Sequence, residues 1–162
     1  MHTRRQFFAT ATSLATIGVA PTPCISQETG PDGVSLTSLP IVSLAGAIKS
    51  TTKPFSVSGI AADNGFHMFN NGTGSIVVDL KGRFRSFVAV VGIVDGMDPF
   101  NGNHIEYKVE LDGKAISAGM VQKNGKPVFL KLNVTDGHSL HIVLTSAGGI
   151  GNAHLGSKEV IV

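Results

Sequence analysis

The chain has 162 residues, with 13 Lys+Arg against 11 Asp+Glu, one cysteine, nine phenylalanines, one tyrosine and no tryptophan. That length fits about one domain. The near balance of charge gives no support to nucleic-acid binding, which draws on clustered positive charge, and a single cysteine leaves no intrachain disulfide framework. The first element is Thr3-Arg4-Arg5-Gln6-Phe7-Phe8, followed by an apolar run, Ala9–Ala20, with no acidic residue. This is the pattern of a twin-arginine export signal carried by Arg4 and Arg5. The run covers about 12 residues, too short for a membrane span of roughly 20, so the expected destination is periplasmic or extracellular, with no stable membrane span. Cleavage after Ala20 would place Pro21 just beyond the scissile bond, which is unfavourable. Cleavage after Ser26, with Cys24 and Ser26 as the small residues, is the alternative. Cys24 also raises lipidation, against which Pro23 stands. Removing residues 1–26 takes away Arg4 and Arg5 and no acid, leaving 11 charges of each sign.

Residues 27–40 are rich in Gly, Pro, Ser and Thr, and the stretch 27–53 reads as a lead-in segment before a domain over 54–162. Within it, Ile41–Ile48 is apolar but does not separate helix from strand. From Pro54 onward the pattern is β. The predicted strands are Phe55–Ile60, Ser75–Leu80, Phe84–Val94, Ile105–Leu111, Lys114–Gln122, Val128–Val134, Ser139–Ser146 and Lys158–Val162. Phe84–Val94 is apolar almost throughout, as a buried strand is. Ile105–Leu111 alternates, with Ile105, Tyr107, Val109 and Leu111 on one face and Glu106, Lys108 and Glu110 on the other. The breaks fall at Asn70-Asn71-Gly72, Lys81-Gly82, Asp112-Gly113, Lys123-Asn124-Gly125, Asp136-Gly137 and Gly148–Gly151. Asp112-Gly113 predicts a tight two-residue hairpin. Short strands with such turns predict an all-β, antiparallel sandwich. The predicted core comprises Phe84, Phe87, Val88, Val90, Val91, Ile93, Tyr107, Val109, Leu130, Leu132, Leu140, Ile142 and Leu144.

The order of these elements resembles the NPCBM domain, a carbohydrate-binding-module family also met beside glycoside hydrolases of family 98. The resemblance runs over about Ser58–Val162. It is carried by Gly65-Phe66-His67, by Ser75-Ile76-Val77-Val78-Asp79-Leu80, and by Phe84 and Phe87 leading to Val91-Gly92-Ile93. Val109-Glu110-Leu111-Asp112-Gly113-Lys114, Leu132-Asn133-Val134-Thr135 and Leu140-His141-Ile142-Val143-Leu144-Thr145 continue it. The closing Asn152-Ala153-His154-Leu155-Gly156 is similar to the family's acidic C-terminal motif, with Leu155 where the family usually places tryptophan; Val94 stands in place of an aspartate. The resemblance implies a galactose-binding-like jelly roll that binds a sugar through loops at one end. It also implies that a structural calcium is worth testing for; no other cofactor is expected.

Sugar recognition needs an apolar face for the C–H side of the ring and planar polar groups for its hydroxyls. The candidate faces are Phe66, Phe69 and Phe100. The candidate partners are His67, Asn70, Asn71, Asn101, Asn103, His104, Asn152 and His154, with Asp95 and Asp98 nearby. Phe66 and Phe69 read more readily as a buried strand edge with a turn at Asn70-Asn71-Gly72, and the polar residues of Asp95–His104 equally as ordinary turn chemistry. Asp95 and Asp98, with Asn101 and carbonyls, are candidate calcium ligands, though not at EF-hand spacing. No zinc or copper signature occurs. No nucleophile elbow, P-loop or dinucleotide fingerprint occurs either, so the expectation is a non-catalytic module. The alternative is a structural or protein-interaction sandwich without a sugar site, whose protein partner the sequence does not name.

Overall fold

The computed structural model describes residues 33–70, 72–99 and 103–157. In chain order the strands are β1 (Val34–Ser35), β2 (Ile41–Gly46), β3 (Ile48–Thr51), β4 (Phe55–Val57), β5 (Ile60–Ala62), β6 (Gly65–Met68) and β7 (Thr73–Asp79). They continue with β8 (Ser86–Ile93), β9 (His104–Leu111), β10 (Lys114–Gln122), β11 (Val128–Asn133), β12 (Ser139–Thr145) and β13 (Gly148–Gly156). A 3₁₀ turn, Leu36–Ser38, follows β1. The predicted Lys158–Val162 strand lies outside the described residues.

These strands form two antiparallel sheets. One has the order β11-β8-β13-β6-β3, with β1 also pairing β13; the other has the order β10-β9-β12-β7-β2. Between them lies the core: Phe66, Met68, Phe87, Val91, Ile150 and Leu155 from the first sheet meet Ile76, Val78, Ile105, Val109, Leu140, Ile142 and Leu144 from the second. The alternation read from Ile105–Leu111 is realised, with Ile105 and Val109 fully buried and Glu106 and Lys108 exposed. The Asp112-Gly113 hairpin also forms. Both residues take positive φ (50° and 79°) as the two-residue turn requires, and the Asp112 carboxylate accepts from the amides of His138 (3.0 Å) and Ser139 (2.7 Å).

Three expectations change. The stretch read as a lead-in contributes to both sheets: β2 pairs β7, β3 pairs β6, and Leu36 is fully buried. Its short strands carry too little alternation to announce themselves. The glycine run Gly148–Gly151, read as a break, opens β13, an inner strand between β8 and β6. A ladder needs amides rather than side chains, so glycine does not prevent it. Phe55–Ile60 is a hairpin, β4–β5, turning at Ser58-Gly59.

That hairpin forms a third layer. Val57, Ala62, Val90 and Val94 are all buried, yet they lie outside the inter-sheet core. They pack where β4–β5 lies on the outer face of the six-stranded sheet, and glycines make the approach feasible. A Cβ on Gly151 would stand 2.5 Å from the Ala62 Cβ, and one on Gly149 would stand 2.7 Å from Val94. Val90, predicted for the core, is therefore buried by the hairpin instead. Val88 and Leu132 are only half-buried.

Candidate functional site

The loops at one end of the sandwich are tied together by main-chain bonds. Phe69 N donates to Ala47 O (2.9 Å), Ser146 N to Gly72 O (2.7 Å), Val94 N to Ala147 O (3.0 Å), and Lys123 N to Asn103 O. This end therefore gathers the β6–β7 loop, the β8–β9 loop and the corners between β2 and β3 and between β12 and β13. The sugar candidates Asn70, Asn103 and His104 stand there, with His104 Nε2 3.8 Å from Glu106. Asn71, Phe100 and Asn101 lie outside the described residues, as do Arg4 and Arg5.

Beside this end, on the outer face of the six-stranded sheet, is a patch of aromatic and polar side chains. Strand β6 alternates over only four residues. Phe66 and Met68 point inward and are fully buried, which corrects the reading of Phe66 as a sugar-facing ring. His67 lies on the opposite face, where the Phe55 ring meets its imidazole at a centroid distance of 5.7 Å, tilted by 41°. The Nδ1 of His67 is 3.1 Å from Met68 O. With Nδ1–H donating there, Nε2 is left as the ring's acceptor. Phe69 is 53% exposed, with the Lys49 ammonium 5.5 Å over its ring. Lys49 is the register partner of His67 on β3. Phe55, His67, Phe69 and Lys49 thus give an apolar surface with donor and acceptor groups at its edge. Phe55 did not figure among the sequence candidates; its proximity to His67 comes from the hairpin's fold-over, which no local pattern encodes.

Asn152 and His154 belong elsewhere. Strand β13 is irregular between Gly151 and His154, and there its neighbour changes from β6 to β1. Asn152 fills the gap at φ 49° and is only 8% exposed. Its Nδ2 donates to Ala61 O (2.9 Å), its Oδ1 accepts from the amide of Asp63 (3.2 Å), and its own amide donates to Asn64 O (3.0 Å). Its side-chain groups are thereby engaged in holding the turn between β5 and β6, which corrects its assignment to sugar. His154 is half-buried on the outer face beside Val88 and Ser35, and burial lowers its imidazole pKa.

The calcium candidates are also engaged. The Gly59 amide donates to both carboxylate oxygens of Asp95 (3.1 and 3.2 Å). Around it, Ser58 N donates to Ile93 O (2.7 Å) and Ile93 N to Ser58 Oγ (3.0 Å). Asp95 is thus the clip that closes the β4–β5 hairpin onto the end of β8. Asp98 instead pairs with Lys123 at 2.6 Å. Two carboxylates turned to different partners do not fit a calcium cage, and no group of three or more His, Cys, Asp or Glu able to hold a metal occurs among the described residues. Val94, in place of an acid, is buried under the hairpin, bridged to Val57. Leu155 is fully buried in the core.

The other sheet carries a shallow groove of about 510 Å³ on its outer face, lined by Thr73, Glu106, Lys108, Met120, Val143 and Thr145 among others. Further along the same face, Lys108 and His141 flank Glu110 at 2.6 and 2.8 Å and hold its carboxyl below the usual range. Among the described residues, no helix is long and apolar enough to cross a membrane.

An antiparallel sandwich with an aromatic patch and a tied rim of loops has the architecture of a carbohydrate-binding module. The NPCBM/NEW2 domain family matches residues 37–157, and the chain belongs to that family. No curated protein matches it in sequence. Among solved structures it is similar to the CBM51 from Clostridium perfringens GH95 in complex with methyl-galactose, at 20% identity and TM-score 0.62, over 76% of this chain and 99% of that one. It is similar to the tandem CBM51 modules of the family 98 glycoside hydrolase from Streptococcus pneumoniae, at 17% identity and TM-score 0.67, over 92% of this chain and 52% of that one. A third is the Clostridium perfringens ZmpB structure of CBM51-2 in complex with GlcNAc and INT domains, at 15% identity and TM-score 0.62, over 77% of this chain and 31% of that one. These likenesses establish the all-β sandwich fold.

Proposed function

We propose that the protein is a non-catalytic carbohydrate-binding module that recognises a galactose-type sugar at the loop end of the sandwich. The observation that carries this is the patch of Phe55, His67 and exposed Phe69 beside Asn70. The rings offer a face for a sugar's C–H surface, and the imidazole Nε2, the Lys49 ammonium and the Asn70 amide offer partners for its hydroxyls. The family membership and the methyl-galactose complex of a similar module support the reading. Affinity electrophoresis and calorimetry with methyl β-galactoside and N-acetylglucosamine test it. Binding should favour the galactoside and be lost in Phe69→Ala and His67→Ala. Absence of retardation on any sugar or polysaccharide would leave the structural or protein-interaction alternative.

The same proposal places the protein outside the cytoplasm, through the Arg4-Arg5 signal. Arg4→Lys with Arg5→Lys should hold the protein in the cytoplasm, as fractionation would show; unchanged export would remove the signal.

A further inference from the structure

We infer that the groove on the outer face of the five-stranded sheet is a second binding site, taking a stretch of an oligosaccharide chain rather than a single sugar. Its apolar side chains are Val143 on β12 and Met120 on β10, the latter 55% exposed, one on each side of β9. Polar groups of both signs stand between and beside them: Glu106 and Lys108 on the intervening β9, the Thr73 hydroxyl on β7, and Thr145 on β12, whose hydroxyl already accepts from the Glu106 amide at 2.7 Å. The groove thus crosses four adjacent strands, three inter-strand spacings or roughly 14 Å, which is longer than one pyranose ring. Its size falls within the range of small-ligand clefts.

The occupant follows from the chemistry of these groups. A carboxylate only accepts, an ammonium only donates, and threonine hydroxyls do both. A neutral polyhydroxylated chain can partner Glu106, Lys108 and Thr73 at once while laying its C–H faces on Met120 and Val143 to either side of β9. An anionic or cationic chain would meet a like charge at Glu106 or Lys108. A peptide adding as a strand is excluded over the groove's middle. There β12 is already paired on both sides, with β7 and β9, and β9 is also paired with β10, so no backbone edge is open to it. The Lys108 ammonium, although bonded to Glu110 at 2.6 Å, keeps further N–H donors for a ligand. This site lies on the opposite face from the Phe55, His67 and Phe69 patch. It rests on the proposed function only in that both ligands are carbohydrate.

Calorimetry on the full chain with methyl β-galactoside, β-1,4-galactobiose and β-1,4-galactotetraose, and in parallel with N-acetylglucosamine, chitobiose and chitotetraose, tests it. The tetraose of one series should bind about tenfold more tightly than its monosaccharide. Val143→Arg, which adds bulk and a second cation beside Lys108, should erase that gain and leave monosaccharide binding unchanged. Met120→Ala, which removes apolar surface without adding bulk, should reduce the gain at an unaltered melting temperature, so loss of fold does not decide the outcome. Tetraose binding that survives Phe69→Ala but not Val143→Arg would uphold the groove even where the patch binds nothing. Affinity independent of chain length, a gain that survives Val143→Arg, or no sugar bound at all would overturn the inference. A wild-type dimer that Val143→Arg turns into a monomer would overturn it too, by showing that the face meets a second copy of this chain.

Discussion

The six-stranded sheet turns Gly92, Gly149 and Gly151 outward, whereas the five-stranded sheet turns Glu106, Lys108, Val143 and Thr145 outward, and the two faces end differently. On the first, the missing side chains let the β4–β5 hairpin lie directly on the sheet and bury Val57, Ala62, Val90 and Val94. On the second, side chains stand up from every strand and the face stays open as a groove. Both begin from the same in-out alternation. A sheet face is therefore not made polar or buried by its strands alone; a bed of glycine invites another layer, and a mixed polar face leaves room for a ligand.

Mutations can break or sharpen this contrast. Phe87, fully buried between the sheets, supports both faces, so Phe87→Ala should cost about 3–5 kcal/mol in denaturant unfolding and should not discriminate between them. Gly151→Val should cost about 1–3 kcal/mol, because the added side chain meets the Ala62 Cβ. Its loss should concentrate in the hairpin, as faster amide exchange at Ser58 and Asp95, which bond across to Ile93 and Ser56, while β9 and β12 stay protected. Asp95→Ala removes the exposed clip on Gly59 and should loosen the same hairpin by about 1 kcal/mol, without altering the groove.

The smallest effects are in pH dependence, and the two faces should show them in different windows. Burial lowers the His154 pKa on the covered side, so the unfolded chain takes up the proton first. The stability this contributes is complete above the ordinary imidazole value of about 6.5 and is lost as pH falls through the depressed folded value. Melting temperatures of His154→Gln across that range should show a flatter slope. On the open side, Lys108 and then His141 lower the Glu110 pKa. That contribution is present above the ordinary glutamate value and disappears as pH falls through the lowered one. Glu110→Gln should flatten the acid limb of the same melting-temperature profile.

Much of the frame was legible. The alternation in Ile105–Leu111 gave the facing of β9, and Asp112-Gly113 gave the hairpin to β10, because both signals are local and encoded in side-chain chemistry. The glycine-led strand β13 was not legible, since a rule that reads glycine as punctuation cannot see an inner strand whose neighbours supply its order. Phe66 shows an intermediate case. Its inward facing was implicit in Gly65-Phe66-His67-Met68, but four residues are too few to set a period. The groove residues Met120 and Val143 carried a weak signal as members of predicted strands. Nothing in the sequence placed them beside one another.

By itself, then, the sequence determined the antiparallel sandwich, most of its strands and the family, because turn residues, alternation and collinear motifs act over short stretches of chain. Only the tertiary structure decided which candidates stand together. Asn152 is drawn into a strand irregularity and Asp95 into a hairpin clip, while Phe55 is brought to His67 and Thr73 to Val143 and Met120. Such partners lie far apart along the chain, and their meeting depends on register and on the layer that glycine allows to pack, which no local pattern specifies.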